Sequence, residues 1–145
     1  MSVRGGGRHQ ADLAAVPLRV PNTRSPSRHA GSALSRLAAW CWQIGAVHLL
    51  RARADEAVRW LEKARSAHAG LHFIHAYLAA GYALKGETGR ASVALDEAHR
   101  LSDRYSSIAR LKAAPGRQWL AEPRIRALAE PTFFAGLRKA GMPEE

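Results

Sequence analysis

One offset, from position 45 to position 79, recurs through the middle of this chain and pairs residues of matching type. Gly45 matches Ala79, Ile44 matches Leu78, Ala57 matches Ala91, Leu61 matches Leu95, and Ala64 matches Ala98. His48 and Tyr82, Leu50 and Leu84, and Arg51 and Lys85 keep the same offset. A fixed period of this length marks a repeat, in which one supersecondary unit buries its apolar face only against the next. The chain is thereby confined to a stacked architecture.

Apolar spacing identifies the unit as helical. Leu37, Cys41, Ile44 and His48 recur at i, i+4, i+7 and i+11, which places them on one helix face. A second helix opens on Asp55-Glu56, acids suited to a first turn, runs through Ala57, Trp60, Leu61 and Ala64, and stops at Ala69-Gly70. A third is expected over 71–85, ended by Gly86, and a fourth from Thr88 or Gly89 through Ala91, Leu95 and Ala98 to Leu101. No segment alternates with period 2 for long enough to be a strand, so the chain reads as all-α.

These residues resemble the tetratricopeptide repeat, whose period is about 34 residues and whose unit is helix–turn–helix. The resemblance implies an α-solenoid with two repeats, 38–71 and 72–105, within 32–105. The small residue at the helix crossing is Gly45, then Ala79. The large residue before it is Ile44, then Leu78, and the aromatic site is His48, then Tyr82. The second helices supply Ala57, Leu61 and Ala64, then Ala91, Leu95 and Ala98, where alanine permits close packing and leucine fills the layer. Cys41 and His75 depart from the usual Trp-like position, as Ala69 and Asp103 depart from the terminal Pro.

Two repeats fall short of the roughly three needed for a stable stack. Residues 106–145 are therefore expected to form a helical C-terminal cap. Ser106 to Ala113 carries Ile108 and Leu111 on one face, and Pro115-Gly116 breaks it. Pro123 starts a short helix with Ile125 and Leu128 facing inward. Thr132 caps a last helix with Phe133, Phe134 and Leu137, which Gly141 and Pro143 end.

A narrower resemblance rests on Trp40–Gly45 (WCWQIG), Ala54–Ser66 (ADEAVRWLEKARS) and Thr132–Glu145 (TFFAGLRKAGMPEE). These are similar to the C-terminal repeat region of rhizobial class III adenylate/guanylate cyclases and winged-helix regulators. Such proteins carry a catalytic or DNA-binding domain upstream, for which residues 1–36 are too short. The resemblance thus implies a regulatory scaffold from a truncated or split gene, without the enzyme.

Composition supports this frame. Residues 1–31 hold Gly5-Gly6-Gly7, three prolines and scattered arginines without apolar period, and are expected to be a disordered basic leader. The net charge of +10 divides into +5 over 1–36, +1 over 37–103 and +4 over 104–145. Nucleic-acid binding through these basic termini is the rival reading, but the arginines lack interleaved aromatics for base stacking. Neither a membrane span nor a signal-peptide core is present, and a single cysteine excludes an internal disulfide. A cytoplasmic protein is expected.

No catalytic, cofactor or metal site is expected. His68, His72 and His75 cluster without a carboxylate or cysteine to complete a ligand set, and Cys41 has no charged helical neighbour to activate it as a nucleophile. Gly86-Glu87-Thr88-Gly89 lacks the spacing and lysine of a phosphate loop. The surface expected to carry function is the inner face of each first helix. It comprises Ala39, Trp42, Ala46 and Leu49, then Phe73, Ala76, Ala80 and Ala83. An apolar groove of this kind suits an amphipathic helix or hydrophobic peptide. Coverage by neighbouring repeats or by the cap is the alternative, and an exposed Trp42 would favour self-association.

Overall fold

The computed structural model describes residues 26–116 and 118–145, with side chains from 33 to 116 and from 120 to 145. Residues 1–25 of the expected leader lie outside the described residues. The chain divides into two units, 1–35 and 36–145; the first is described only as the start of a helix, and the second holds the core.

The helices are α1 (Pro26–Leu50), α2 (Ala54–Ala67), α3 (His72–Leu84) and α4 (Thr88–Leu101), then α5 (Ile108–Ala113), α6 (Pro123–Ala129) and α7 (Ala135–Ala140). Short 3-10 turns at Asp103–Ser106 and Gln118–Ala121 join them, and Glu130–Phe134 forms a π-helical turn between α6 and α7. The described residues contain no strand. Helix α1 begins at Pro26, so residues 26–31 of the expected disordered leader are helical, with proline in the first-turn position that tolerates its missing N–H.

The sequence period reappears in the backbone. Helices α2 and α4 start and stop at the same offset as the matched residues, at 54 and 88 and at 67 and 101. The turns before them match bond for bond. Arg53 N donates to His48 O at 2.8 Å, and Glu87 N donates to Tyr82 O at 2.8 Å. Ala52 N donates to Leu49 O at 2.9 Å, and Gly86 N to Ala83 O at 3.0 Å. These bonds supply partners to the last carbonyls of α1 and α3, of which His48 O and Tyr82 O also accept from Arg51 N and Lys85 N at 3.1 Å.

Packing follows the repeated positions. Ala57, Leu61 and Ala64 are fully buried, as are Leu78, Ala79, Ala91 and Ala98, with Leu95 and Tyr82 nearly so. Gly45 is the tightest crossing of α1 with α2. A Cβ there would stand 2.7 Å from Leu61 Cγ and 3.2 Å from Ala57 O, closer than real contacts allow. Helix α1 departs from expectation in one respect. Its buried residues are Ala38, Cys41 and Leu49 together with Gly45, whereas Ile44 and His48 are half-buried and Leu37 is 52% exposed. The small side chains of Ala38, Cys41 and Gly45 let α1 close onto α2, and this leaves Leu37 and Val47 on the outer side.

The C-terminal residues fold back on α3. Residues 123–140 form one helical run through α6, the π turn and α7, since the backbone stays helical across both junctions. Pro131 offers no N–H and its ring crowds the carbonyl one turn back, which accounts for the local widening. Thr132 is therefore no N-cap. It lies inside the run and its Oγ1 donates to Leu128 O at 2.6 Å. Leu128, expected inward, is 45% exposed, and Ile125 is half-buried.

The first N–H groups of α5 are all satisfied. Ile108 N donates to Pro143 O at 2.8 Å, Ala109 N to Glu144 O at 2.9 Å, and Arg110 N to Ser107 Oγ at 3.1 Å. The chain's last residues thus serve as a cap for a helix far earlier in the sequence.

Candidate interaction surfaces

The expected inner face is largely occupied by the chain itself. Ala76 and Ala80 are fully buried, as is Leu49, and Ala83 is nearly so; Ala39, Trp42, Ala46 and Phe73 are half-buried. Phe133 stacks on Tyr77 at 4.3 Å between centroids, with planes 22° apart. Gly136 meets the α3 backbone, where a Cβ would be 2.6 Å from Ala80 O and 2.7 Å from Ala80 Cα. Of the two alternatives in the sequence, coverage by the cap describes the α3 part of this face.

Trp42 belongs to the same aromatic layer. Its ring sits edge-on to Phe73 at 4.7 Å and to Tyr77 at 5.5 Å. The exposed tryptophan of α1 is its neighbour Trp40, at 70%, accompanied by Val47 at 53% and by Leu37. Leu37, Trp40, Ile44 and Val47 follow one another at helical spacings of three and four, a second apolar stripe on the side of α1 away from its buried residues. The stripe is visible in the sequence as apolar residues on two faces of one helix. Trp40 and Val47 belong neither to the expected packing face through Cys41 nor to the expected inner face through Trp42.

A second surface lies between α2 and α4, a groove of about 650 Å³ floored by His75 and Tyr82 of α3 and flanked by Arg65, Arg90 and Arg100. The Tyr82 hydroxyl donates to Glu62 Oε2 at 2.5 Å. Burial pushes that hydroxyl's pKa up, and the hydrogen bond to Glu62 adds to it, while the Arg65 and Arg90 charges oppose both. Arg90 lies over the Tyr82 ring at 5.4 Å and pairs with Glu87 at 3.3 Å. Arg100 holds Glu97 in a two-bond fork at 2.7 Å each, which keeps that carboxyl below its ordinary range. Sequence reasoning did not single out this groove, because its residues come from three helices.

The histidines serve structural bonds. His75 Nε2 donates to Ala69 O at 2.7 Å, His72 Nδ1 is bonded to the Tyr105 hydroxyl at 2.8 Å, and His68 Nδ1 accepts from Gly70 N at 3.2 Å. Among the described residues, no three His, Cys, Asp or Glu side chains are grouped to hold a metal ion. Cys41 is a buried free thiol within the α1 packing. No described helix is long and apolar enough to cross a membrane. No protein-family model, curated protein or solved structure matches the chain.

Proposed function

We propose that this chain is a non-catalytic protein–protein interaction scaffold of the tetratricopeptide-repeat kind. In this reading it is the regulatory repeat region of a bacterial adenylate/guanylate cyclase-like signalling protein and works in the cytoplasm. The observation that carries the reading is a repeated helix pair whose first helix keeps an apolar face uncovered. Repeat stacks need a polar outer face on a terminal unit, and Leu37, Trp40 and Val47 make the outer face of α1 apolar instead. With the α3 face closed by Phe133 and Gly136, the stripe on α1 is an uncovered apolar face on a first helix of the repeats. An amphipathic helix with leucines at i, i+3 and i+7 matches its spacing.

The test is a titration of the full chain with a fluorescein-labelled, leucine-rich amphipathic helical peptide, beside duplex DNA at two salt concentrations. Saturable peptide binding that Trp40→Glu weakens at least about tenfold is expected, since a carboxylate would replace an apolar anchor. Sedimentation of the free chain reports self-association through the same stripe. Steeply salt-dependent DNA binding that survives Trp40→Glu, with no peptide binding, would favour the basic termini as the working part. Cyclic nucleotide formed from ATP or GTP would overturn the non-catalytic reading.

A further inference from the structure

The groove between α2 and α4 is separate from the α1 stripe and has its own chemistry. Of its three flanking guanidiniums, Arg90 and Arg100 are held by carboxylates of their own helix region, Glu87 and Glu97. Arg65 is half-buried on α2 and, among the described residues, has no carboxylate within ion-pair distance. A partly desolvated guanidinium without a counter-ion favours an incoming anion, and its planar fork fits a carboxylate by two parallel bonds. Beside it, Val93 is 69% exposed at the groove wall, with buried Ala94 next to it. The lining therefore holds three guanidiniums, Arg65, Arg90 and Arg100, against two carboxylates, Asp96 and Glu97, with Val93 and Ala94 as its apolar part.

The same lining limits how much negative charge can enter. Asp96 and Glu97 line the groove, and Glu62 lies behind Tyr82. These acids oppose a polyphosphate backbone, whose charges repeat along its whole length. A single carboxylate flanked by apolar groups matches an excess of one positive charge and adds little further charge against Asp96 and Glu97.

We propose that the α2/α4 groove binds an acidic peptide segment, with one carboxylate paired to Arg65 and an adjacent apolar side chain lying on Val93 and Ala94. The Tyr82 hydroxyl, already committed to Glu62, forms the floor and takes no part in the pairing.

The experiment uses the full chain and two labelled pentapeptides blocked at both ends, Ala-Leu-Glu-Leu-Ala and its glutamine analogue Ala-Leu-Gln-Leu-Ala. The glutamate peptide is expected to bind at least about tenfold more tightly, the scale of one charge-assisted fork. Arg65→Gln should erase that preference, Arg65→Lys should keep part of it, and Val93→Ser should weaken both peptides. Trp40→Glu should change neither, which separates failure of this site from failure of the α1 reading. Equal binding of the two peptides, an unchanged preference in Arg65→Gln, or no binding at millimolar peptide would overturn the proposal. So would a single-stranded oligonucleotide that displaces the glutamate peptide at lower concentration, since the groove would then be a general polyanion surface. Arg65 closes no ion pair within the described fold, so circular dichroism of its variants should match the parent chain.

Discussion

Ala52 and Gly86, one repeat period apart, both close their helices in the left-handed backbone region, at φ 61° and 88°. The same turn is thus made once by a residue that adopts this conformation freely and once by one that does not. A Cβ on Gly86 would meet nothing within 4 Å, so the backbone alone decides the effect of exchange. An alanine in this region costs roughly 1–2 kcal/mol, and glycine costs about 0.4–1 kcal/mol in unfolded-chain entropy. Ala52→Gly is expected to stabilise by up to about 1 kcal/mol and Gly86→Ala to destabilise by about the same. Urea unfolding of the two variants checks the opposite signs.

Gly136 gives the largest expected loss from one methyl group. Its Cβ would meet the Ala80 backbone rather than the tip of a movable side chain, so the run 123–140 must lift from α3. Gly136→Ala is expected to cost about 1–3 kcal/mol, the range for overpacking, despite the better helix propensity of alanine. Increased protease cleavage within 114–122 would report the lifted segment. An unchanged unfolding midpoint would mean that the helix does not seat on Ala80.

The two neighbouring tryptophans should behave oppositely. Trp42→Ala removes a ring packed on Phe73 and Tyr77, and a cost of roughly 2–4 kcal/mol is expected, toward the lower part of the range for large core truncations. Trp40 is exposed, and Trp40→Ala should stay within about 0.5 kcal/mol. Equal thermal shifts in the two variants would contradict the packing of α1.

The C-terminal latch is expected to loosen in acid. Arg138 bonds to the Glu144 carboxylate and holds its pKa below the ordinary 4.5, while Glu144 O accepts from Ala109 N. A carboxyl lowered in the folded state adds stability above its unfolded value, and this is lost as pH falls through the lowered one. Hydrogen-exchange protection of the Ile108 and Ala109 amides should therefore decline below pH 4.5. Deleting residues 143–145 should abolish it at every pH.

Much of the fold was legible because the repeat states each position twice. Leu61 and Leu95, or Ala64 and Ala98, lie at matched offsets, and their burial is equally matched. Helix ends were legible where a special residue marked them, as at Gly86. They were not where Ala52 took the same conformation without glycine. Thr132 misled for a local reason. A proline followed by threonine reads as a break and a cap, yet the π turn absorbs Pro131 and the helix runs on.

The sequence by itself determined the helical character, the fixed offset and the buried positions of α2 and α4, because periodicity and side-chain size are local properties. Tertiary structure alone decided which surfaces remain open. The cap lies on Tyr77 and Ala80, the apolar stripe through Trp40 stays outside, and Arg65 shares a groove with Val93. Each of these depends on contacts between helices distant in the chain. Such contacts are fixed by the mutual fit of surfaces and leave no spacing for a sequence to display.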